Sequence, residues 1–449
     1  MILLDRCRVV VTMDDAGTEL DNASVLIDGG VIRWVGQGRP PLRERPEVLD
    51  GRGLVALPGL INTHHHLYQT LTRVHAQQGG LFDWLRELYP IWAMIDVDWE
   101  RAAAEAGLAE LALSGCATTT DHHYVFPAGS ASLLEAEIEV AAKMGLRFHP
   151  CRGSMDRGES SGGLPPDRVV EDIDTILAAT DDAIQRFHDP APGSMLRIAV
   201  GPCSPFSVSQ RLMRESAALA RRRNVRLHTH IAETLDEERY CRETFGRRPL
   251  ELLEDLGFLG RDVWLAHCVH VDDADIARMA TTQTAVAWCP TSNMRLGSGF
   301  APAREMIEAG VRVGLAVDGS ASNDSGNLLA EARQAMLTTR ARMGAAAMSA
   351  RQALWVATRG GAACLGRDDI GAIEVGKRAD LALFAIDGLP HRGAEADPVA
   401  ALVFCNPGPV RHLFVEGKLV VRDGQLLNLS RAAQAPSPIP GEGRGEGSR

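Results

Sequence analysis

Polar segments rich in histidine directly follow several short β-branched runs of this chain. They lie at residues 62–66, 121–123, 228–233, 266–270 and 317–319. Because alternate residues of a strand share one face, His64 and His66 can point to the same place. Neutral imidazoles together with a carboxylate suit a divalent transition metal, most simply zinc. One histidine alone is more often structural, but three histidines and an aspartate after strands one, five and eight predict a metal site.

The elements that would position these side chains form one repeating pattern, in which a short β-branched run is followed by a polar loop and a helical stretch. Helical stretches such as 99–113 and 210–222 lie between the runs. Alternation of eight strands with helices predicts an α/β fold, a parallel (β/α)8 TIM barrel whose active site lies at the carboxyl ends of the strands. The eight runs are residues 54–57, 117–120, 147–150, 196–200, 225–230, 263–267, 285–289 and 311–317.

Both ends of the chain have a β-rich texture that differs from the middle. Residues 24–36 predict a hairpin with its turn at Gly29-Gly30, and residues 379–384 and 412–421 predict further strands. We therefore expect a small sheet domain built from both termini. The predicted division is residues 1–57 and 368–432 for this domain, 58–367 for the barrel, and 433–449 for a disordered tail rich in Pro, Gly and Ser.

Composition narrows the classes of partner. The 449 residues include 47 Lys and Arg against 58 Asp and Glu, a net charge of -11, which argues against a nucleic-acid partner. No apolar run is long enough to cross a bilayer, and the start of the chain lacks a basic leader. The nine cysteines are scattered without a CxxC pair, a pattern typical of proteins whose cysteines are kept as free thiols. We expect a cytoplasmic protein with a small-molecule substrate and no membrane partner.

The motifs together resemble the amidohydrolase superfamily, specifically its cytosine-deaminase-like branch. The resemblance implies a distorted barrel, a β-sandwich formed by both termini, hydrolytic chemistry that releases an amine, and a homo-oligomer. It also implies that His64, His66, His230 and Asp318 hold one metal ion, and that Glu233 and His267 act on the substrate. The matching stretches are residues 58–66, 230–233, 266–269, 290–293, 318–319 and 371–380.

The lysines give an independent indication of the number of metal ions. Binuclear relatives usually bridge two metals with a carboxylated lysine on strand four, whereas this strand ends at residues 201–206 without one. The chain has only Lys143, Lys377 and Lys418, all outside that strand. We therefore predict one divalent ion, zinc or alternatively iron. Cys203 can pack beside the pocket or bridge a second metal.

The resemblance also implies a mechanism. Asp318 accepts a proton from the attacking water, and His267 stabilises the charge on the attacking oxygen. Glu233, which is not a ligand, protonates a ring nitrogen and helps the amine to leave, because zinc deamination needs such a general acid and base.

Substrate choice depends on two departures from relatives that deaminate adenosine-type thioethers. Trp92 stands near the place of a ribose-binding Glu, and Cys203 stands where those relatives have a His on strand four. Both changes remove ribose contacts and favour a free base, on which Trp84 and Trp92 can stack; the alternative is that both pack a helix against the barrel.

Residues 64–69, 121–124 and 289–295 are similar to 8-oxoguanine deaminases, which convert 8-oxoguanine to urate and ammonia. In that interpretation Gln69 reads a carbonyl or ring N–H and His123 reaches the 8-oxygen, although a packing role is equally open for both. A triazine or N-alkylamine hydrolase, a guanine or isocytosine deaminase, and a catalytically inactive scaffold of the same fold remain alternatives.

Overall fold

Strands from both ends of the chain join in one nine-stranded sheet. The computed structural model describes residues 1–42, 44–130, 132–405 and 408–428, so the tail predicted at 433–449 lies outside the described residues. Its strands are β1 (Ile2–Val11), β2 (Glu19–Asp28), β3 (Val31–Gln37), β4 (Glu47–Asp50), β5 (Leu54–Pro58), β14 (Leu381–Ala385), β15 (His412–Val415), β16 (Lys418–Arg422) and β17 (Gln425–Leu426). The sheet runs in the order β17-β16-β15-β14-β5-β1-β2-β3, with β4 beside β1.

The predicted hairpin is confirmed, because β2 and β3 pair antiparallel around Gly29 and Gly30. Both glycines have positive φ, 58° and 76°, which a two-residue hairpin turn of this kind requires. The sheet encloses a small apolar core of its own, which includes Val10, Val25 and Phe414.

Eight parallel strands form a second sheet that is nearly closed into a barrel. They are consecutive neighbours, and Thr63 N–H donates to Leu315 O at 3.0 Å across the remaining seam. The predicted fold class is confirmed: a (β/α)8 barrel with a separate, mainly antiparallel sheet built from both termini. The strands are β6 (Leu60–Asn62), β7 (Cys116–His123), β8 (Arg147–Ser154), β9 (Ala199–Pro202), β10 (Leu227–Ile231), β11 (Val263–His267), β12 (Ala285–Trp288) and β13 (Val313–Leu315).

The first barrel strand lies later in the chain than predicted. Residues 54–57 belong to β5 of the terminal sheet, and the barrel begins at Leu60. The chain passes from one sheet to the other at Gly59, where a Cβ atom would lie 2.4 Å from the Cβ of Ala117. Because β5 and β6 are both fully buried, their apolar residues alone do not distinguish the two sheets.

Helices surround the barrel, and the predicted helices at 99–113 and 210–222 correspond to the helices Val97–Leu113 and Gln210–Arg223. None of the helices in the described part of the chain is long and apolar enough to cross a membrane. The helices are α1 (Leu81–Trp92), α2 (Val97–Leu113), α3 (Leu133–Met144), α4 (Ile173–Phe187), α5 (Gln210–Arg223), α6 (Leu235–Phe245), α7 (Pro249–Asp255), α8 (Asp273–Thr282), α9 (Pro290–Arg295), α10 (Ala303–Glu308), α11 (Leu328–Met343), α12 (Ala350–Trp355), α13 (Gly361–Cys364) and α14 (Pro398–Phe404).

A buried arginine fastens the barrel to the terminal sheet. Arg147, on β8, donates Nε and Nη2 to the two carboxylate oxygens of Asp380, each at 3.0 Å. It also donates Nη2 to Glu416 Oε2 at 2.8 Å and Nη1 to the carbonyls of Gly193 and Ser194. The paired guanidinium and carboxylate therefore replace water at the contact between the two sheets.

We expect Arg147→Met to destabilise the protein by about 3–5 kcal/mol, because it leaves Asp380 buried without its cation. The measurement is the shift of the urea unfolding midpoint. Adding Asp380→Asn to Arg147→Met should recover part of the loss, because it removes the stranded charge. Equal midpoints for the wild type and Arg147→Met would show that the ion pair does not stabilise this contact.

Candidate active site and metal centre

The carboxyl ends of the barrel strands bring four predicted ligands together. His64 and His66 follow β6, His230 lies on β10 and Asp318 follows β13. Asp318 Oδ1 lies 3.3 Å from His64 Nε2 and 3.4 Å from His66 Nε2. His66 Nε2 lies 3.0 Å from His230 Nε2. All four side chains are buried, so their nitrogen and oxygen atoms converge on one enclosed point.

Two of these histidines have a fixed tautomer. His66 Nδ1 lies 2.8 Å from the carbonyl oxygen of His122, and His230 Nδ1 lies 2.8 Å from that of Cys203. A carbonyl only accepts, so each Nδ1 carries the hydrogen and each Nε2 carries a lone pair. Two lone pairs therefore face each other at 3.0 Å.

The third histidine is oriented through a second ring. His228 Nδ1 donates to Trp264 O at 2.7 Å, which leaves His228 Nε2 as the acceptor for His64 Nδ1 at 2.8 Å. His64 Nε2 is then a buried lone pair without a hydrogen-bond partner among the described residues. Burial lowers the pKa of His64, His66 and His230, so the neutral rings are favoured. Three lone pairs and one carboxylate in a buried space fit a divalent cation.

Three hydrogen-bond donors, one backbone N–H and two hydroxyls, stabilise the ionised form of Asp318. Oδ1 accepts the Gly319 N–H at 2.7 Å, and Oδ2 accepts the hydroxyls of Ser292 at 2.6 Å and Ser322 at 3.0 Å. Burial would raise the pKa of Asp318, but the positive charge that His267 can carry helps to hold that pKa well below its usual range. A carboxylate is therefore available both as a ligand and as a proton acceptor.

Glu233 and His267 lie beside the ligand set and face each other. His267 Nε2 is 3.6 Å from Glu233 Oε2 and 4.0 Å from Asp318 Oδ2, while its Nδ1 donates to Asn293 Oδ1 at 3.0 Å. Burial would lower the pKa of His267, but the two carboxylates outweigh it and raise that pKa. Burial raises the pKa of Glu233 to about 7. Glu233 can therefore both donate and accept a proton near neutral pH.

The loop that carries Glu233 is fixed by a second carboxylate. Glu237 accepts the backbone N–H groups of Ala232 and Glu233, each at 2.9 Å. Ala232, His267 and Asp318 all have left-handed backbone, with φ of 52°, 71° and 66°. Such conformations are costly for residues other than glycine, and they are retained where function aims a side chain.

A small cavity opens onto these groups. Gln69, Cys203 and Trp84 lie in its wall, as do Glu233 and His267. Much of the remaining wall is aromatic or aliphatic, which suits a flat heterocycle. The other lining residues are His66, Leu81, Leu85, Tyr89, Tyr124, Ser204, Phe206, His230, Leu296, Asp318 and Ser322.

Comparison with known proteins identifies the family. The sequence model of the Amidohydrolase family matches residues 55–420. The chain belongs to this family. Over 93% of both proteins, this amidohydrolase is 45% identical to 8-oxoguanine deaminase from Pseudomonas aeruginosa. It is 39% identical to hydroxydechloroatrazine ethylaminohydrolase from Pseudomonas sp. (strain ADP), over 94% of this chain and 92% of the relative.

A solved structure also matches this amidohydrolase along nearly its whole length. The structure of atrazine chlorohydrolase from Arthrobacter aurescens TC1 complexed with zinc superimposes with a TM-score of 0.92. The two chains are 37% identical, and the match covers 97% of this chain and 98% of the other. A divalent metal is therefore implied, while the named relatives differ in what they act on.

Two residues predicted to contact substrate lie outside the cavity wall in this amidohydrolase. Trp92 Nε1 donates to Thr72 Oγ1 at 3.1 Å, and its ring packs between neighbouring aromatic rings, so it has the packing role. His123 lies 2.8 Å from Glu137 Oε1 through Nδ1 and donates Nε2 to Val125 O. Adjacent strand residues face opposite sides, and His122 occupies the inward position, within 4.8 Å of the His230 ring centroid. Neither residue is among those that line the cavity, and the substrate contacts expected of Trp92 and His123 stay predictions.

Cys203 contributes to the site mainly through its backbone. Its carbonyl orients His230, while its thiol lies 3.9 Å from His230 Nδ1. Burial raises the pKa of this thiol to about 12, so it stays protonated near neutral pH. Among the described residues, its sulfur is not in any group of three or more converging ligand atoms, which supports a packing role over a bridging one.

Proposed function

We propose that this amidohydrolase deaminates a free purine-type base, 8-oxoguanine, to urate and ammonia. The observation that carries the proposal is the convergence of three imidazole lone pairs and the Asp318 carboxylate beside a cavity that is also lined by Glu233. The 45% identity to an 8-oxoguanine deaminase supports the choice of substrate. Gln69 Oε1 is buried in the same wall and has no hydrogen-bond partner in the described part of the chain, so it can accept from a ring N–H of the base.

In this proposal His64, His66, His230 and Asp318 hold one divalent ion, which we infer to be zinc. When bound, such an ion lowers the pKa of water from ~15.7 towards neutrality. The Asp318 carboxylate accepts the proton of the attacking water. His267, oriented by Asn293, hydrogen-bonds the attacking oxygen and stabilises its charge.

Glu233 moves the protons on the substrate side. Its carboxyl donates to the ring nitrogen next to the carbon that bears the exocyclic amine, while a C–O bond forms at that carbon. The C–N bond then breaks, and the proton taken from water is passed to the amine, which leaves as ammonia. The hydroxyl proton that remains on the added oxygen returns to the Glu233 carboxylate, and the oxygen becomes a carbonyl, so water and 8-oxoguanine are converted to urate and ammonia without any change of redox state.

The second candidate is hydrolysis of an N-alkylamine from a triazine, which the 39% identical ethylaminohydrolase favours. We expect the zinc-loaded protein to release ammonia from 8-oxoguanine with a kcat/KM at least about tenfold above those for guanine, isocytosine and hydroxyatrazine. Ammonia and ethylamine are measured separately. Faster ethylamine release from hydroxyatrazine would replace the proposal with the second candidate, and no product from any of the four would favour an inactive scaffold.

A further inference from the structure

A cavity rich in arginine lies at the end of the barrel opposite the metal centre. Arg226, Arg261 and Arg312 precede β10, β11 and β13, so they lie at the amino ends of these strands. The cavity measures about 470 Å³ and has one carboxylate residue, Asp368, in its described wall. The remaining lining residues are Arg359, Ala362, Ala363, Gly366, Arg367, Ile370, Ala372 and Lys377.

Three of these cations have no anionic partner. Within the described residues, no carboxylate lies within 4.0 Å of Arg226, Arg261 or Arg312. The other cations of the wall are paired outside it: Arg359 with Asp15, Arg367 with Asp369, and Lys377 with Glu374. The cavity therefore concentrates uncompensated positive charge in a chain whose net charge is -11.

Backbone carbonyls hold two of these guanidinium groups in place. Arg226 Nη2 donates to Cys364 O at 2.5 Å, and Arg312 Nη1 donates to Ala363 O at 3.2 Å, both at the end of α13. Arg312 Nη2 also donates to Arg261 O at 3.0 Å. These bonds fix the guanidinium groups but leave one donor unused, since the buried Arg226 Nε has no partner within residues 1–42, 44–130, 132–405 and 408–428.

Arg226 and Arg312 repel each other, and burial adds to the cost of their positive charges. Burial lowers the pKa of Arg226 to about 10, and Arg312 adds to this effect. Burial and the charge of Arg261 also lower the pKa of Arg312. An anion between these groups would relieve both the repulsion and the unmet hydrogen bond.

We propose that this arginine cavity binds a small anion with phosphate-type oxygens. The planar guanidinium group offers parallel N–H donors that match the oxygens of phosphate, and preorganised arginines lose little freedom on binding. The oxygens can belong to free phosphate, pyrophosphate or the phosphate chain of a nucleotide, because all three present the same recognised group.

Calorimetric titration of the zinc-loaded protein without substrate tests the proposal, with phosphate, pyrophosphate and ADP as probes at constant ionic strength. We expect saturable binding, tighter for pyrophosphate than for phosphate. Arg261→Gln should weaken pyrophosphate binding about tenfold, the expected size for one charge-assisted contact. Arg261 is exposed, and its side chain makes no hydrogen bond with described residues, so this variant should fold. Tighter binding of ADP than of pyrophosphate would identify a nucleotide as the source of the phosphates.

Arg214→Gln is the matched control, because Arg214 is an exposed arginine of α5 that does not line the cavity. It should bind pyrophosphate like the wild type. Pyrophosphate affinity that is unchanged in Arg261→Gln would place the anion elsewhere, such as at the metal centre, and overturn the proposal. Equal losses in both variants, or the same heat with chloride, would reduce the effect to general charge screening and also overturn it.

Discussion

Glu233→Gln should lower the turnover of 8-oxoguanine by about a thousandfold while zinc remains bound at one ion per chain. The loss follows because a buried amide cannot deliver a proton to the ring nitrogen, and general acid–base groups contribute about 10²–10⁴-fold to rates. Zinc content should be preserved, since Glu233 is not among the four converging ligands. Ammonia release and elemental analysis of the same sample provide the measurement.

Asp236→Asn is the matched control for Glu233→Gln. Asp236 lies on the same segment of chain, but it is exposed and pairs with Arg239 on the surface. It should keep wild-type turnover. Turnover retained in Glu233→Gln would remove Glu233 from the mechanism, and zinc lost from that variant would make it a ligand instead.

Removal of the metal by a chelator should abolish turnover and lower the thermal midpoint. Without a cation, the lone pairs of His66 and His230 face each other at 3.0 Å, and the Asp318 carboxylate faces two more acceptors. Binding of an ion to the folded state alone stabilises that state by mass action. One equivalent of zinc per chain should restore both properties.

Cys203→Ser tests whether the thiol contributes a ligand. The backbone carbonyl that orients His230 is unchanged in this variant, so zinc content should remain one per chain.

In the chelator experiment, turnover that survives complete removal of metal would contradict the proposed centre. Restoration that requires two equivalents would show a binuclear site.

Residue type and strand spacing were sufficient to predict that four side chains converge at the mouth of the barrel; their role as metal ligands stays a proposal. His64 and His66 alternate, while His230 and Asp318 end or follow strands, and strand ends of a barrel share one edge. Sequence alone did not distinguish His122 from His123, because the side of a strand that faces inward depends on its register with its neighbours. The start of the barrel at Leu60 was also missed, because β5 and β6 are equally buried.

The supporting residues are harder to foresee from sequence. Ser292, Ser322 and Glu237 hold Asp318 and the loop before α6 by hydrogen bonds, and no periodicity marks such contacts. The hydrogen bonds through which Trp264 and His228 orient His64 are likewise not marked by any sequence pattern. The domain bounds, the cytoplasmic location and the homo-oligomer stay predictions.

The pairing of β5 with β14 constrains the order of events during synthesis. Leu54 lies opposite Ala385, so an early strand acquires this neighbour only after the whole barrel has been translated. Contacts so distant along the chain close a very long loop and are typical of slow folding. The hairpin of β2 and β3 can form as soon as it leaves the ribosome. The pairing of β5 with β14, which joins the two halves of the sheet, can form only after β14 has been synthesised.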